Sequence, residues 1–264
     1  MSVGKTAVVI GAGPAGLMAA EILARGGVSV DVYDAMASAG RKFLLAGKGG
    51  MNITHAEPLT QFMTRYGSRQ AQMQVLIESF TPQDLRNFVH DLGIDTFVGS
   101  SQRVFPTDMK AAPLLRAWLQ RLRAQGVRLH MRERWLGWCE GDASAGQRLR
   151  LASAEAEHVV DADVVVLALG GGSWARLGSD GAWVEILRQR GVDVSPLRPA
   201  NCGFHVAWSE YFKQHQAGQP LLTVAMGVKG ADGALQWRKG QFVVSEYGVE
   251  GSLIYAASSA IRTR

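Results

Sequence analysis

Cysteine is scarce in this chain: Cys139 and Cys202 are the only two among 264 residues. They stand too far apart for a CxxC pair or a zinc-ligand spacing, and two thiols make no disulfide framework. A reducing compartment, the cytoplasm, is therefore expected. Long apolar runs are lacking too. No stretch approaches the roughly 20 apolar residues of a membrane-spanning helix, and the apolar run near the N-terminus is short and broken by Gly and Pro, unlike a signal peptide. Internal repeats and low-complexity segments are absent. None of Tyr33, Tyr66, Tyr211, Tyr247 and Tyr255 has a lysine four residues later, which excludes short-chain dehydrogenase chemistry. A basic cluster is missing as well. The net charge is +5, but the arginines are scattered. Arg116, Arg121 and Arg123 read as the solvated face of one amphipathic helix, so neither nucleic acid nor a membrane is an expected partner.

What is present is ordinary in amount: 47% hydrophobic residues, and enough length for one large or two ordinary domains with a core that needs no staples. The information lies in the first 34 residues. Residues 6–10 are a short apolar run that predicts a buried strand. It opens into Gly11, Ala12, Gly13, Pro14, Ala15 and Gly16, which fit G-x-G-x-x-G. Residues 17–25 predict a helix stopped by Gly26 and Gly27, and residues 28–33 alternate like a second strand closed by Asp34.

Each residue type in that unit has a physical task. Gly11 permits the tight turn, and Gly13 leaves room for a pyrophosphate to reach the backbone. Pro14 suits the first helical turn, where no N–H is needed. Ala15 belongs to the same turn. Gly16 and Ala20 let the helix lie close to the sheet. The helix N-terminus offers unpaired N–H groups and the positive end of its dipole to a phosphate. Asp34, about 20 residues on, is placed to accept from ribose hydroxyls and to repel a 2′-phosphate. The unit predicts binding of an ADP moiety without saying which dinucleotide carries it.

A glycine-rich loop follows over residues 39–54, containing Gly40, Arg41, Lys42, Lys48, Gly49, Gly50 and Asn52. Backbone N–H groups in such a loop can surround an anion. In isolation it reads as a solvated surface loop; directly after a dinucleotide fingerprint, it reads as one that contacts the cofactor. Helices are predicted over 71–80, 82–92 (capped by Thr81) and 111–125. Short strands are predicted over 94–98, 102–105, 127–131, 135–138, 149–152 and 158–160, with a turn near Gly141 and Asp142. The run Val164, Val165, Val166, Leu167 predicts a parallel strand buried on both faces, and it opens into Gly170, Gly171 and Gly172, a second place for close backbone approach. A helix over 182–190 follows. From residue 195 the texture changes to short alternating strands at 204–208, 221–228, 235–238 and 241–245, with a turn at 230–233. The expected division is a dinucleotide-binding domain over 1–194 and a β-rich domain over 195–264.

These marks, together with Val104-Phe-Pro106, Lys110-Ala111, Gly178-Ser179 and Asp180-Gly181, resemble the two-dinucleotide-binding-domain flavoproteins. More narrowly, they resemble the bacterial family of BaiN-like 3-dehydro-bile-acid reductases and aminoacetone-oxidase-like FAD enzymes. The resemblance covers nearly the whole chain. It implies an α/β fold with a Rossmann-like FAD/NAD(P)-binding domain, a β-rich inserted domain, and FAD as cofactor. Two departures stand out. Where the common form of the second glycine loop carries Arg-Cys-Asn, this chain has Gly50, Met51 and Asn52. The return segment that contacts the flavin is not found, so the carboxyl-terminal part of the family fold reads as missing.

The resulting expectation is an FAD-dependent oxidoreductase that transfers a hydride between flavin and a small organic substrate, with NAD(P)H as a possible donor. The rival is a non-catalytic adenine-nucleotide-binding or regulatory module. No catalytic residue is assigned; His55 and Lys42 are the candidate proton donors, and His55 reads more readily as a plain loop histidine. A terminal helix exposing Leu253, Ile254 and Ile261 predicts an uncovered apolar patch, weak FAD retention and self-association.

Overall fold

The computed structural model describes residues 4–46, 49–139, 147–229 and 233–262. The chain forms two compact units, Met1–Val194 and Ser195–Arg264. The first opens with β1 (Thr6–Ile10), α1 (Pro14–Arg25), β2 (Ser29–Asp34) and α2 (Arg41–Ala46). Next come β3 (Thr54–His55), α3 (Leu59–Met63), a 3-10 turn at Thr64–Arg69, α4 (Gln70–Ser79) and α5 (Pro82–Asp91). Then follow β4 (Thr96–Val98), β5 (Arg103–Pro106), α6 (Ala111–Ala124), β6 (Arg128–Met131), β7 (Arg134–Trp138), β8 (Gln147–Ala152) and β9 (Glu157–Ala162). The unit closes with β10 (Val164–Leu167) and α7 (Trp183–Gln189).

A parallel sheet in the order β10-β1-β2-β6 organises this unit. Strand alternation divides β1 between two cores. Ala7 and Val9 pack with Leu17, Val30, Val32, Leu115, Trp118 and Leu122, the side covered by α1 and α6. Val8 and Ile10 pack with Tyr33, Trp135, Leu149 and Leu151, the side covered by the antiparallel meander β7-β8-β9. Each fully buried apolar side chain here is worth about 1.5–3 kcal/mol. The third sheet, β3-β5-β4, is antiparallel and small. Beside it, α5 starts on Thr81, the expected N-cap, which exchanges bonds with Asp84 in a capping box.

Three expectations about this unit need correction. The run at 164–167 is not buried on both faces: among the described residues β10 pairs with β1 alone, Val164 is exposed and the other three residues are half-buried. An apolar run reports a preference for burial, not how many neighbours exist. The 39–54 segment is not all loop, because Arg41–Ala46 forms a helix whose Phe43 packs on the α1–α6 core. Arg121 is not on a solvated face. Its guanidinium lies over the Phe88 ring and pairs with buried Glu21 at 3.0 Å. Short α3 and the 3-10 turn carry no strong apolar period, and pattern reading missed them. The expected turn at Gly141 and Asp142 lies outside the described residues, although β7 and β8 on either side of it pair antiparallel.

The second unit contains β11 (Phe204–His205), α8 (Glu210–Gln216), β12 (Pro220–Lys229), β13 (Leu235–Ser245), β14 (Gly248–Glu250) and α9 (Ser252–Arg262). Its antiparallel order is β11-β14-β13-β12. Residues 235–238 and 241–245 are one continuous strand, not two. Gly240 stays within it because Leu253 of α9 packs over the space a side chain would take. Residues 230–232 of the expected turn lie outside the described residues. The predicted uncovered patch is corrected here: Leu253 and Ile254 are 4% and 3% exposed, and Ile261 is half-buried. The amphipathic face of α9 lies on the sheet of its own unit, which the sequence pattern of the helix alone could not reveal.

Candidate functional site

The glycine turn between β1 and α1 is fixed by two close approaches. Gly11 has φ +106° and donates its N–H to Tyr33 O at 2.7 Å; a Cβ there would stand 2.3 Å from Ala168 O. A Cβ on Gly16 would stand 1.8 Å from Gly11 O. Gly13 differs. A Cβ on it would meet nothing within 4 Å, so it borders empty space. Gly13 is also the N-cap of α1, with no side chain capping the helix and no acid in the first turn. Pro14 has no N–H to satisfy, and that of exposed Ala15 belongs to the first turn, which leaves it without an intrahelical partner.

That end faces a cavity of about 280 Å³ within the first unit. Of the expected residues, Gly11, Gly13, Pro14, Ala15, Asp34, Gly40, Arg41, Lys42 and Gly170 line it. Gly16 lies beneath, in the packing role. Gly49, Gly50, Asn52 and Gly171 are not brought to it. The segment around Asn52 is drawn toward β5 instead, with Met51 N–H bonded to Met109 O at 2.9 Å and Ile53 N–H to Val104 O at 2.8 Å. Gly47 and Lys48 lie outside the described residues. Of the two candidate proton donors, Lys42 lines the cavity and donates from Nζ to Ser173 Oγ, whereas His55 does not line it.

Asp34 is half-buried and already holds the loops together. Its Oδ2 accepts from Ala12 N–H and its Oδ1 from Met36 N–H, each at 2.7 Å. Each oxygen keeps a second lone pair for a ligand. Around the cavity, three buried donors have no partner among the described residues: Arg41 Nε, Trp135 Nε1 and Trp183 Nε1. Unpaired buried donors cost free energy, so a cluster of them beside empty space fits a bound acceptor. Tyr33 forms part of the wall and stacks on His130 with ring centroids 4.5 Å apart. Burial pushes its phenol above the usual range. Arg134 and Asp180, both on the cavity, pair at 3.2 Å. Arg134, Trp135, Trp183 and Ile186 were missed from sequence because β7 and α7 carry no motif, and Asp180 was read only as a mark of the resemblance; the fold alone sets them opposite the glycines.

A parallel sheet, a glycine turn running into an uncapped helix, and an acid closing the second strand beside a cavity define a Rossmann-type dinucleotide-binding unit. The chain belongs to the HI0933-like protein Rossmann domain family, which it matches over residues 5–254. It is 25% identical over 263 residues to the 3-dehydro-bile acid delta(4,6)-reductase of Clostridium scindens, covering 96% of this chain and 59% of that protein. The chain thus spans about three fifths of the length of that curated relative. Among solved structures, it is similar to the 3-ketosteroid-delta4-(5alpha)-dehydrogenase of Rhodococcus jostii RHA1 in complex with 4-androstene-3,17-dione. That match has a TM-score of 0.54 and 18% identity and covers 73% of this chain and 55% of the other. A flavocytochrome c3 fumarate reductase in its open conformation matches with a TM-score of 0.50 and 20% identity, over 64% of this chain and 34% of the other. These structural likenesses show the shared fold. Among the described residues, no helix is long and apolar enough to cross a membrane.

Proposed function

We propose that this chain is the FAD-binding part of an FAD-dependent oxidoreductase that acts on a small organic substrate. The observation that carries the reading is the uncapped N-terminus of α1 opening on a cavity bordered by Asp34 and the unpartnered Arg41 Nε. In this reading the N–H group of Ala15, at the first turn of α1, holds the pyrophosphate, with Arg41 and Lys42 offsetting its charge. The second lone pairs of Asp34 accept from the ribose hydroxyls. Trp135, Trp183 and Ile186 give a flat base apolar walls that exclude water. Bound FAD supplies hydride transfer; the protein supplies position and electrostatics. The named relative is a reductase, which supports reduction of a small molecule; NAD(P)H as the electron donor is part of the proposal. The first unit, 1–194, serves as the dinucleotide-binding domain, and 195–264 as part of the β-rich domain inserted into it.

The test is titration of the apo-protein with FAD and with ADP, followed by absorbance and tryptophan fluorescence. Saturable binding of both, with FAD the tighter, is expected. Failure to bind either would remove the reading. Equal affinity for the two, with no change in the flavin spectrum, would favour the non-catalytic adenine-nucleotide module instead.

A further inference from the structure

His55, which the dinucleotide cavity does not use, lines a second cavity of about 300 Å³ between β3 and the start of α5. The two cavities share no residue. Three polar groups of the second one are held in fixed positions. Arg86 is the first. Its Nε donates to Thr96 Oγ1 at 2.9 Å, and the same hydroxyl lies 2.8 Å from His90 Nε2, into which it can donate. The guanidinium is thereby anchored by one nitrogen, and its two terminal nitrogens are left without a partner among the described residues. Glu57 is the second. Its side chain is 6% exposed, and the hydrogen bond from Arg65 holds its carboxyl below the usual range, so it stays ionised but neutralised. His55 is the third. Its Nδ1 lies 3.4 Å from both Glu57 N and Glu57 Oε1, which leaves Nε2 free.

The lining carries one formal charge of each sign, Arg86 and Glu57. Glu57 is consumed by Arg65, and Arg86 remains. The N-terminus of α5 adds nothing, because the capping box already satisfies it. Leu59, Pro82 and Val104 supply apolar wall. A planar fork with two open N–H-bearing nitrogens matches the two oxygens of a carboxylate, and the apolar wall matches a short hydrocarbon body.

We infer that the cavity between β3 and α5 is a second ligand site, which binds a small aliphatic carboxylate through Arg86 with His55 beside it. The inference is independent of the FAD reading, since the two sites have no residue in common.

The probe is butyrate, with butyramide as its neutral match and inorganic phosphate as the other anion. The readout is the histidine ring resonances of the whole chain by NMR, with the His55 signal identified by its loss in His55→Gln. Butyrate is expected to shift the His55 signal saturably, butyramide to leave it unmoved, and phosphate to act at least tenfold more weakly. Arg86→Gln is expected to weaken butyrate at least tenfold. Because Arg86 also ties α5 to Thr96, that variant could unfold. Leu59→Trp fills the cavity without touching a charge, and it should abolish the response while leaving the His90 signal in place. No movement of His55 up to about 50 mM butyrate, a concentration that would register even millimolar affinity, overturns the inference. So does an equal response to butyramide, a stronger response to phosphate, or an unchanged response in Leu59→Trp.

Discussion

The body and the N-terminus of one helix handle polar groups in opposite ways. In the middle of α1, Glu21 is completely buried, and both its oxygens are taken. Trp118 Nε1 donates to it at 2.6 Å, Arg25 at 2.5 Å, and Arg121 pairs with it at 3.0 Å. At the N-terminus no side chain caps the helix, the N–H of Ala15 has no intrahelical partner, and Gly13 borders open space. The first arrangement is closed upon itself and can only hold α1 against α6. The second is incomplete without something else. Completed polar clusters in this protein belong to its architecture, and incomplete ones beside cavities mark where ligands are expected.

The contrast can be broken most severely at Glu21. Glu21→Ala leaves Trp118 Nε1 and Arg121 buried without their acceptor, and should cost about 3–5 kcal/mol of stability. Urea unfolding measures it, and a loss under about 1 kcal/mol would mean that the cluster is not what joins α1 to α6. Asp34→Ala, at the open end, should weaken FAD or ADP binding by about 1.5–3 kcal/mol, the scale of a hydrogen bond to a charged group. Calorimetric titration reads this directly; unchanged affinity would mean that Asp34 serves only Ala12 and Met36.

A smaller effect is expected on the far side of the sheet at Asp31. Burial works to raise its carboxyl pKa, but hydrogen bonds from Arg128 and His130 outweigh it, so the folded value is lowered. A lowered carboxylate contributes stability that is fully present above its unfolded pKa and lost as pH falls through the folded one. Asp31→Asn should therefore cost about 1 kcal/mol at neutral pH, screened because Arg128 is half-exposed. The gap between the two proteins should close as pH drops below about 4. A gap that widens in acid would reverse the sign of the assigned shift. The smallest change in stability belongs to Gly13→Ala. Its φ of −81° suits any residue and the added methyl meets nothing, so unfolding should shift by less than about 0.5 kcal/mol. ADP affinity should nevertheless fall by about 1 kcal/mol or more, as the methyl occupies ligand space. A variant that loses stability but not affinity would place the phosphate elsewhere.

Much of the first unit was legible in local sequence. The βαβ start follows from the apolar run at 6–10, the glycine spacing and Asp34, because turn, cap and strand period are all properties of neighbours in the chain. The capping box at Thr81 and Asp84 and the core stripe of α6 are legible for the same reason. Tertiary structure decided the rest. It set Trp135 and Trp183 opposite the glycines, turned Arg121 inward onto Glu21, left β10 with one neighbour among the described residues, and laid Leu253 and Ile254 on their own sheet. It also sent Asn52 toward β5 and gathered His55 and Arg86 around a second cavity. Hydrophobic period and turn chemistry report what a residue prefers locally. Which distant surface satisfies that preference depends on how strands are ordered and which faces meet, and those are fixed only when the whole chain packs.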